Sequence, residues 1–191
     1  MVNVYCVKVG TKYDRSFVEK LKTSIEKHFT IPYKFHCFTD KVEEDYDIPI
    51  THPELTGVFH KLTLFQFTGN CLYFDLDIAI NDNIDFLAER FDKFTVVNSI
   101  NYKQDVLKNP LKFRLTQNTL VNSSIMRWTD NRKILEKFLK HRDLYLRLYT
   151  GIDRFIYNED IKYKYFPGEA ISSWKEGITY NTIMLYNGKY V

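Results

Sequence analysis

"CLYFDLDIAI", residues 71–80, is an apolar run with two aspartates set into its middle. Buried strands rarely carry even one unpaired carboxylate, because a charge taken out of water needs a partner. In a strand, side chains alternate between two faces. Asp75 and Asp77 should therefore leave the same face, about 6 to 7 Å apart at a rise of about 3.3 Å per residue. Leu72, Phe74, Leu76 and Ile78 take the other face and anchor it in a core. Two carboxylates on one face repel unless something positive lies between them. Three readings compete for the pair: a turn cap, a hydrolytic acid/base pair, and a grip on a divalent cation. The cation is the economical one, because it neutralises both groups and leaves open positions for phosphate oxygens. Glycosidase carboxylates do lie about 5 to 9.5 Å apart, but they flank a substrate bond.

The segments around this run read as an α/β protein. "VNVYCVKVG" (2–10) is Val-rich and ends in glycine, as a central strand does. In "DRSFVEKLKTSIEKHF" (14–29), Phe17, Val18, Leu21, Ile25 and Phe29 fall at helical spacing. Asp14 or Ser16 can cap that helix, and Ser16 with Glu19 has capping-box spacing. "YKFHCFTD" (33–40) follows as a second strand, so the chain begins strand, helix, strand, the start of a parallel sheet. "GVFHKLTLFQF" (57–67) reads as a short amphipathic helix. "KFTVVN" (93–98) and "LVNSSIMRW" (120–128) read as strands, and "NRKILEKFLKHRDLYLRL" (131–148) as one long helix. A short helix near 151–157, "YKYFP" (163–167) and a closing strand in "TIMLYNG" (182–188) complete the pattern. No repeat, linker or low-complexity segment interrupts it, so residues 1–191 are expected to form one domain.

Composition narrows the function. Aromatics make up 16% of the chain, enough for a dense core and for stacking surfaces. A net charge of +3 is too mild for a nucleic-acid footprint. No apolar stretch is long enough to span a bilayer, and the N-terminus lacks the features of a signal peptide, which points to the cytoplasm. Cys6, Cys37 and Cys71 are widely spaced inside apolar segments, as buried free thiols are. With seven glycines and no G-x-G-x-x-G, Walker loop, H-E-x-x-H or G-x-S-x-G, neither dinucleotide binding, P-loop hydrolysis nor serine-hydrolase chemistry has a motif. Abundant Lys, Asn, Ile and Tyr suit a virus, a phage or a low-GC bacterium.

Taken in order, "VKVGTKYDRSFVEKL", "FHCFTD", "FHKLTLF", "CLYFDLDIAINDNID", "NSSIMRW", a weaker "GIDRFI" and a final "IMLYNGK" resemble a known group. It is the glycogenin-like and lipopolysaccharide-galactosyltransferase group of nucleotide-sugar glycosyltransferases, in its small bacterial, phage and giant-virus branch. The resemblance covers nearly the whole chain. It implies the GT-A fold, an α/β Rossmann-like domain with a mostly parallel sheet. It also implies a UDP-sugar donor, Mn2+ or Mg2+, a glycan or glycoprotein acceptor, and retention of anomeric configuration.

The resemblance also assigns roles. Tyr13 matches the ring that stacks on uracil, with a helix-start surface ring as the plainer alternative. Gly10 and Thr11 let the backbone approach the base. Asp40 accepts from base or ribose, or simply caps a turn. Lys61 contacts the donor sugar and diphosphate, or is a solvated lysine. Its neighbour His60 is expected at the surface or in packing. Asp75 and Asp77 hold the metal, with Leu76 between them in the donor motif. Asn122 and Ser123 face the transferred sugar, and Asp153 contacts its hydroxyls near the reacting carbon.

Two positions depart from the group's pattern. Arg154 stands where relatives carry Gln beside the reacting carbon. Asn187 stands where a His is the third metal ligand, with Gly188 and Lys189 following in register to hold the diphosphate. An amide oxygen still ligates a hard cation but brings no charge, so looser metal binding is expected. The chain ends within a few residues, so it is either naturally minimal or one domain of a longer polypeptide. The departures keep a rival in play, a degenerate module that binds a nucleotide sugar without turnover. A nucleotidyltransferase would need a basic, Gly-rich loop after the first strand, and "VGTKYD" is a poor one.

Overall fold

The computed structural model describes residues 1–98 and 120–186. β1 (Val2–Lys8), α1 (Arg15–His28) and β2 (Tyr33–Thr39) form the expected strand–helix–strand unit. The two strands pair in parallel from Val2↔Tyr33 to Lys8↔Thr39. Asp14 caps α1, its carboxylate accepting from the Ser16 N–H at 2.8 Å. The capping box is not used, because Glu19 accepts from the Tyr46 hydroxyl instead. Val18, Leu21 and Ile25 are buried on the helix's inner face. Each such burial stabilises by about 1.5–3 kcal/mol.

The main sheet has seven strands in the order β3-β2-β1-β4-β7-β6-β8. The added strands are β3 (Asp47–Pro49), β4 (Cys71–Phe74), β6 (Thr95–Asn98), β7 (Val121–Trp128) and β8 (Lys164–Tyr165). β3, β2, β1 and β4 are parallel, β7 runs antiparallel between β4 and β6, and β8 is parallel to β6. One face carries a core built with α2 (Arg132–Lys140), α3 (Arg142–Leu148), α4 (Ile152–Asn158) and the 3-10 segment Gly57–Gln66. The other packs against α1 and a second, three-stranded sheet. That small sheet runs β5-β10-β9, with β5 Ile78–Ile80, β9 Ile171–Ser173 and β10 Ile183–Leu185.

Residues 71–80 are not one strand. β4 stops at Phe74, and β5 belongs to the small sheet. The backbone explains the break. The Asp75 N–H donates to the Ser124 carbonyl at 2.8 Å, the last bond toward β7. The Asp77 carbonyl then accepts from the Tyr186 N–H at 3.1 Å, at the start of the pairing with the C-terminal strand. Asp75, Leu76 and Asp77 therefore form the joint between two sheets. Alternation nevertheless runs across the joint: Cys71 and Tyr73 join one core, Leu72, Phe74, Leu76 and Ile80 the other.

Two helical segments also differ from expectation. Residues 57–66 are 3-10 rather than an amphipathic α-helix, and bury Phe59, His60, Leu62, Thr63, Leu64 and Phe65. An element clasped by core on most sides has no polar face to show. The predicted long helix splits at His141, whose N–H turns back to the Phe138 and Leu139 carbonyls. All three cysteines are free and buried, as expected. Among the described residues, no helix is long and apolar enough to cross a membrane.

Candidate functional site

The carboxyl ends of β1, β2 and β4 lie along one edge of the sheet, as does the start of the antiparallel β7. This edge is where open α/β sheets bind ligands. At the end of β4, Asp75 meets Lys61 from the 3-10 segment. The Lys61 ammonium lies 2.7 Å from Asp75 Oδ1 and 2.9 Å from Oδ2. Both side chains are largely buried, at 11% and 18% exposure. The Tyr73 hydroxyl donates to the same carboxylate from two residues upstream on the same face. Burial pushes the Tyr73 pKa well above the ordinary phenol value, and Asp75 and Asp77 add to it.

Lys61 also reaches Ser123 Oγ at 3.4 Å. Ser123 is held in turn by Asp153, whose Oδ1 accepts the Ser123 N–H at 2.9 Å. A register shift helps place Ser123. Val96 pairs with Met126 but Val97 with Asn122, so β7 gains residues against its neighbour there. Such bulges re-aim side chains and occur often beside active sites. Burial alone would lower the Lys61 pKa, but Asp75, then Asp153 and Asp77, outweigh it, and the net shift is upward. Three carboxylates thus act on one buried ammonium.

Tyr13 stands across from them at the start of α1. Burial raises its hydroxyl pKa first, followed by Asp77 and Asp75, so its hydroxyl end feels both carboxylates. Its ring lies 5.2 Å from Phe17, with the Lys12 ammonium 4.6 Å from its centroid. Gly10 turns the chain between β1 and Tyr13 with φ +73°, a conformation natural to glycine. Its N–H donates to Asp40 Oδ2 at 2.9 Å, which gives Asp40 a turn-holding role. Thr11 is exposed at the same turn.

The remaining expected residues are buried or lie outside the described residues. Leu76 is buried among core side chains, so only its backbone is left for a ligand. Asn122 is buried and its side-chain oxygen accepts the Ser124 N–H at 2.7 Å. Arg154 is buried in α4, and its carbonyl accepts from Asn158 at 2.7 Å. His60 is packed rather than exposed, and burial lowers its pKa. Asn187, Gly188 and Lys189 lie outside the described residues.

The sequence reading missed Tyr73 and Tyr186. Tyr73 was open to the period-two argument, since it precedes Asp75 by two. Tyr186 has no such signal, being brought to Asp77 through the pairing of the small sheet. Beside Asp77, between α1 and β5, lies a cavity of about 130 Å³ whose lining includes Lys20, Ser24, Asp77 and Tyr186.

Among the described residues, no three His, Cys, Asp or Glu side chains cluster as a metal site. Asp75 and Asp77 offer two carboxylates, the hard oxygen donors that suit Mg2+ or Mn2+. Lys61 already contacts both oxygens of Asp75, so a cation held there shares that carboxylate with the ammonium.

No protein-family sequence model and no curated protein sequence matches the chain. Solved structures do. One is an active-site mutant of LgtC, with a TM-score of 0.67 at 11% identity, over 97% of this chain and 87% of that one. Another is the glycosyltransferase GlyE of Streptococcus pneumoniae, at TM-score 0.67 and 12% identity. That match covers 97% of this chain but 55% of GlyE, so the chain spans about half of that protein. Mouse xyloside xylosyltransferase 1 matches at TM-score 0.57 and 12% identity, over 97% of both chains. The chain has the GT-A fold of such glycosyltransferases.

Proposed function

We propose that this chain is a glycosyltransferase that moves a sugar from a UDP-sugar to a glycan hydroxyl, with retention and with Mn2+ or Mg2+. The observation that carries the reading is the set of Asp75, Asp77 and Asp153 around Lys61, at the ligand-binding edge of a GT-A fold. We take residues 1–191 as one domain.

In this proposal Asp75 and Asp77 hold the metal. When bound, the ion supplies Lewis-acid stabilisation of the leaving diphosphate. Lys61 adds a fixed positive charge beside the same oxygens, in a partly buried setting where charge counts for more than in water. Asp153 fixes the Ser123 backbone and presents its carboxylate near the sugar hydroxyls. Tyr13 gives the base a ring to lie on, and the glycine turn at Gly10 lets the backbone come close. Asn187, Gly188 and Lys189 complete the metal and diphosphate contacts.

A second reading is a module that binds a nucleotide sugar without turnover. Arg154 favours it, because a buried guanidinium replaces the amide expected beside the reacting carbon. A panel of UDP- and GDP-sugars with Mn2+, scored for hydrolysis, transfer and calorimetric binding, tests both. Metal-dependent UDP-sugar turnover supports the transferase, and binding without product supports the module. If no nucleotide binds with any metal, both readings fall.

A further inference from the structure

Positive charge is concentrated on α2 and α3. Residues 132–148 contain six Lys or Arg and two Asp or Glu, a net +4. The whole chain is only +3, so the other 174 residues together carry a net −1. Three of the six cations are paired: Arg132 with Asp130, Lys137 with Glu159, and Arg142 with Asp143. Lys133, Lys140 and Arg147 are exposed, and none forms an ion pair among the described residues.

Large apolar side chains stand in the same region. Leu144 is 58% exposed and Leu148 37% exposed, four residues apart and so on one face of α3. Arg147 follows Leu144 by three residues on the same helix, and Lys140 ends the helix before it. Tyr145 is the buried residue of α3 and packs on Phe138 and Phe155. Val58 is also exposed, at 47%. Its Cγ2 lies 3.5 Å from the place a Cβ on Gly151 would take, three residues beyond Leu148.

Exposed leucines amid unpaired cations call for a partner with two properties. It must carry dense negative charge and offer an apolar layer just beneath it. A nucleic acid answers the charges and leaves the leucines in water. A neutral bilayer takes the leucines and gives little to the cations. We propose that the α2–α3 face docks the protein onto an anionic lipid bilayer. Lys133, Lys140 and Arg147 lie against the headgroup phosphates, and Leu144 and Leu148 enter the acyl boundary. The docking surface is independent of the transferase reading, since none of its residues belongs to the proposed donor site.

Co-sedimentation of the full chain with vesicles tests the proposal. Phosphatidylcholine vesicles are compared with vesicles of phosphatidylcholine and phosphatidylserine. Binding is expected only with phosphatidylserine, and is expected to weaken with salt. Each Lys or Arg near such a surface strengthens binding about fivefold, so Lys133→Gln/Lys140→Gln/Arg147→Gln should weaken it about a hundredfold. Leu144→Ser/Leu148→Ser should weaken it about tenfold through lost apolar burial. All five side chains are exposed, so both variants should keep the wild-type melting curve, which separates lost docking from lost folding. Equal binding to neutral and anionic vesicles, no binding to either, or full binding by the triple variant overturns the proposal. So does tighter binding to a polyuridine RNA than to the anionic vesicles.

Discussion

Replacing Lys61 with methionine keeps most of the unbranched side chain and removes the charge at the centre of the site. At 2.7 Å and an effective dielectric near 20, its attraction to Asp75 is about 6 kcal/mol before desolvation. Desolvation offsets most of that while both partners are present. Removing one partner leaves a largely buried carboxylate uncompensated, which typically costs about 3–5 kcal/mol. Here Asp77 and Asp153 add repulsion, whereas the remaining exposure and the Tyr73 hydroxyl soften the loss. We expect Lys61→Met to destabilise by about 3 kcal/mol in urea titrations near neutral pH. Asp75→Asn in the same background should recover much of it, with a coupling of about 2 kcal/mol. Mn2+ at a hundredfold its dissociation constant should restore about 2.7 kcal/mol, because the ion takes over the lysine's charge. The pH dependence has a definite sign. The folded pKa of Lys61 lies above its unfolded value. Its contribution is therefore complete below about pH 10 and lost as pH rises through the folded value. A Lys61→Met protein as stable as wild type, or costs that simply add in the double variant, would refute this electrostatic account.

Other predictions rest on separate contacts. Asp47, with no exposed side-chain surface, accepts from Arg15 at 2.8 Å and from the Glu43 and Glu44 N–H groups. Burial alone would raise its pKa, but Arg15 and those N–H groups lower it. Asp47→Asn should cost about 2 kcal/mol at neutral pH, a gap that closes as pH falls below about 4 and through the folded pKa. A gap that stays constant down to pH 2 contradicts that origin. Gly10→Ala meets open space and pays only for φ +73°, so thermal unfolding should show a loss of about 1 kcal/mol. A gain in stability contradicts it. Tyr13→Ala should weaken UDP binding by about 1–3 kcal/mol if the ring is a base platform. Unchanged affinity in calorimetry makes it a surface ring.

The parallel β1–α1–β2 unit was legible because Val-rich and 3.6-periodic segments alternate cleanly there, and β6 and β7 read as strands for similar reasons. The joint at Asp75–Asp77 was not. Alternation continues across it, since Leu76 and Ile80 share a core with Leu72 and Phe74 although two sheets are involved. Period-two patterning reports which face a side chain takes, not which strand its backbone bonds. The pairing of Lys61 with Asp75 spans 14 residues, and that of Ser123 with Asp153 spans 30, so neither leaves a local trace. The break at His141 was hidden because apolar spacing continues through Tyr145 and Tyr149, whose hydroxyls both donate to Glu159. Motif order pointed to Asp75, Asp77, Lys61 and Asp153. What it could not show is that a lysine already stands on one of the two carboxylates.

The most direct test of the proposed donor site is calorimetric titration of UDP, with and without Mn2+, into the wild type and Asp77→Ala. The wild type should bind UDP only with Mn2+. Asp77→Ala should lose that binding while unfolding cooperatively at a similar temperature. Mn2+-dependent UDP binding retained by Asp77→Ala contradicts the account.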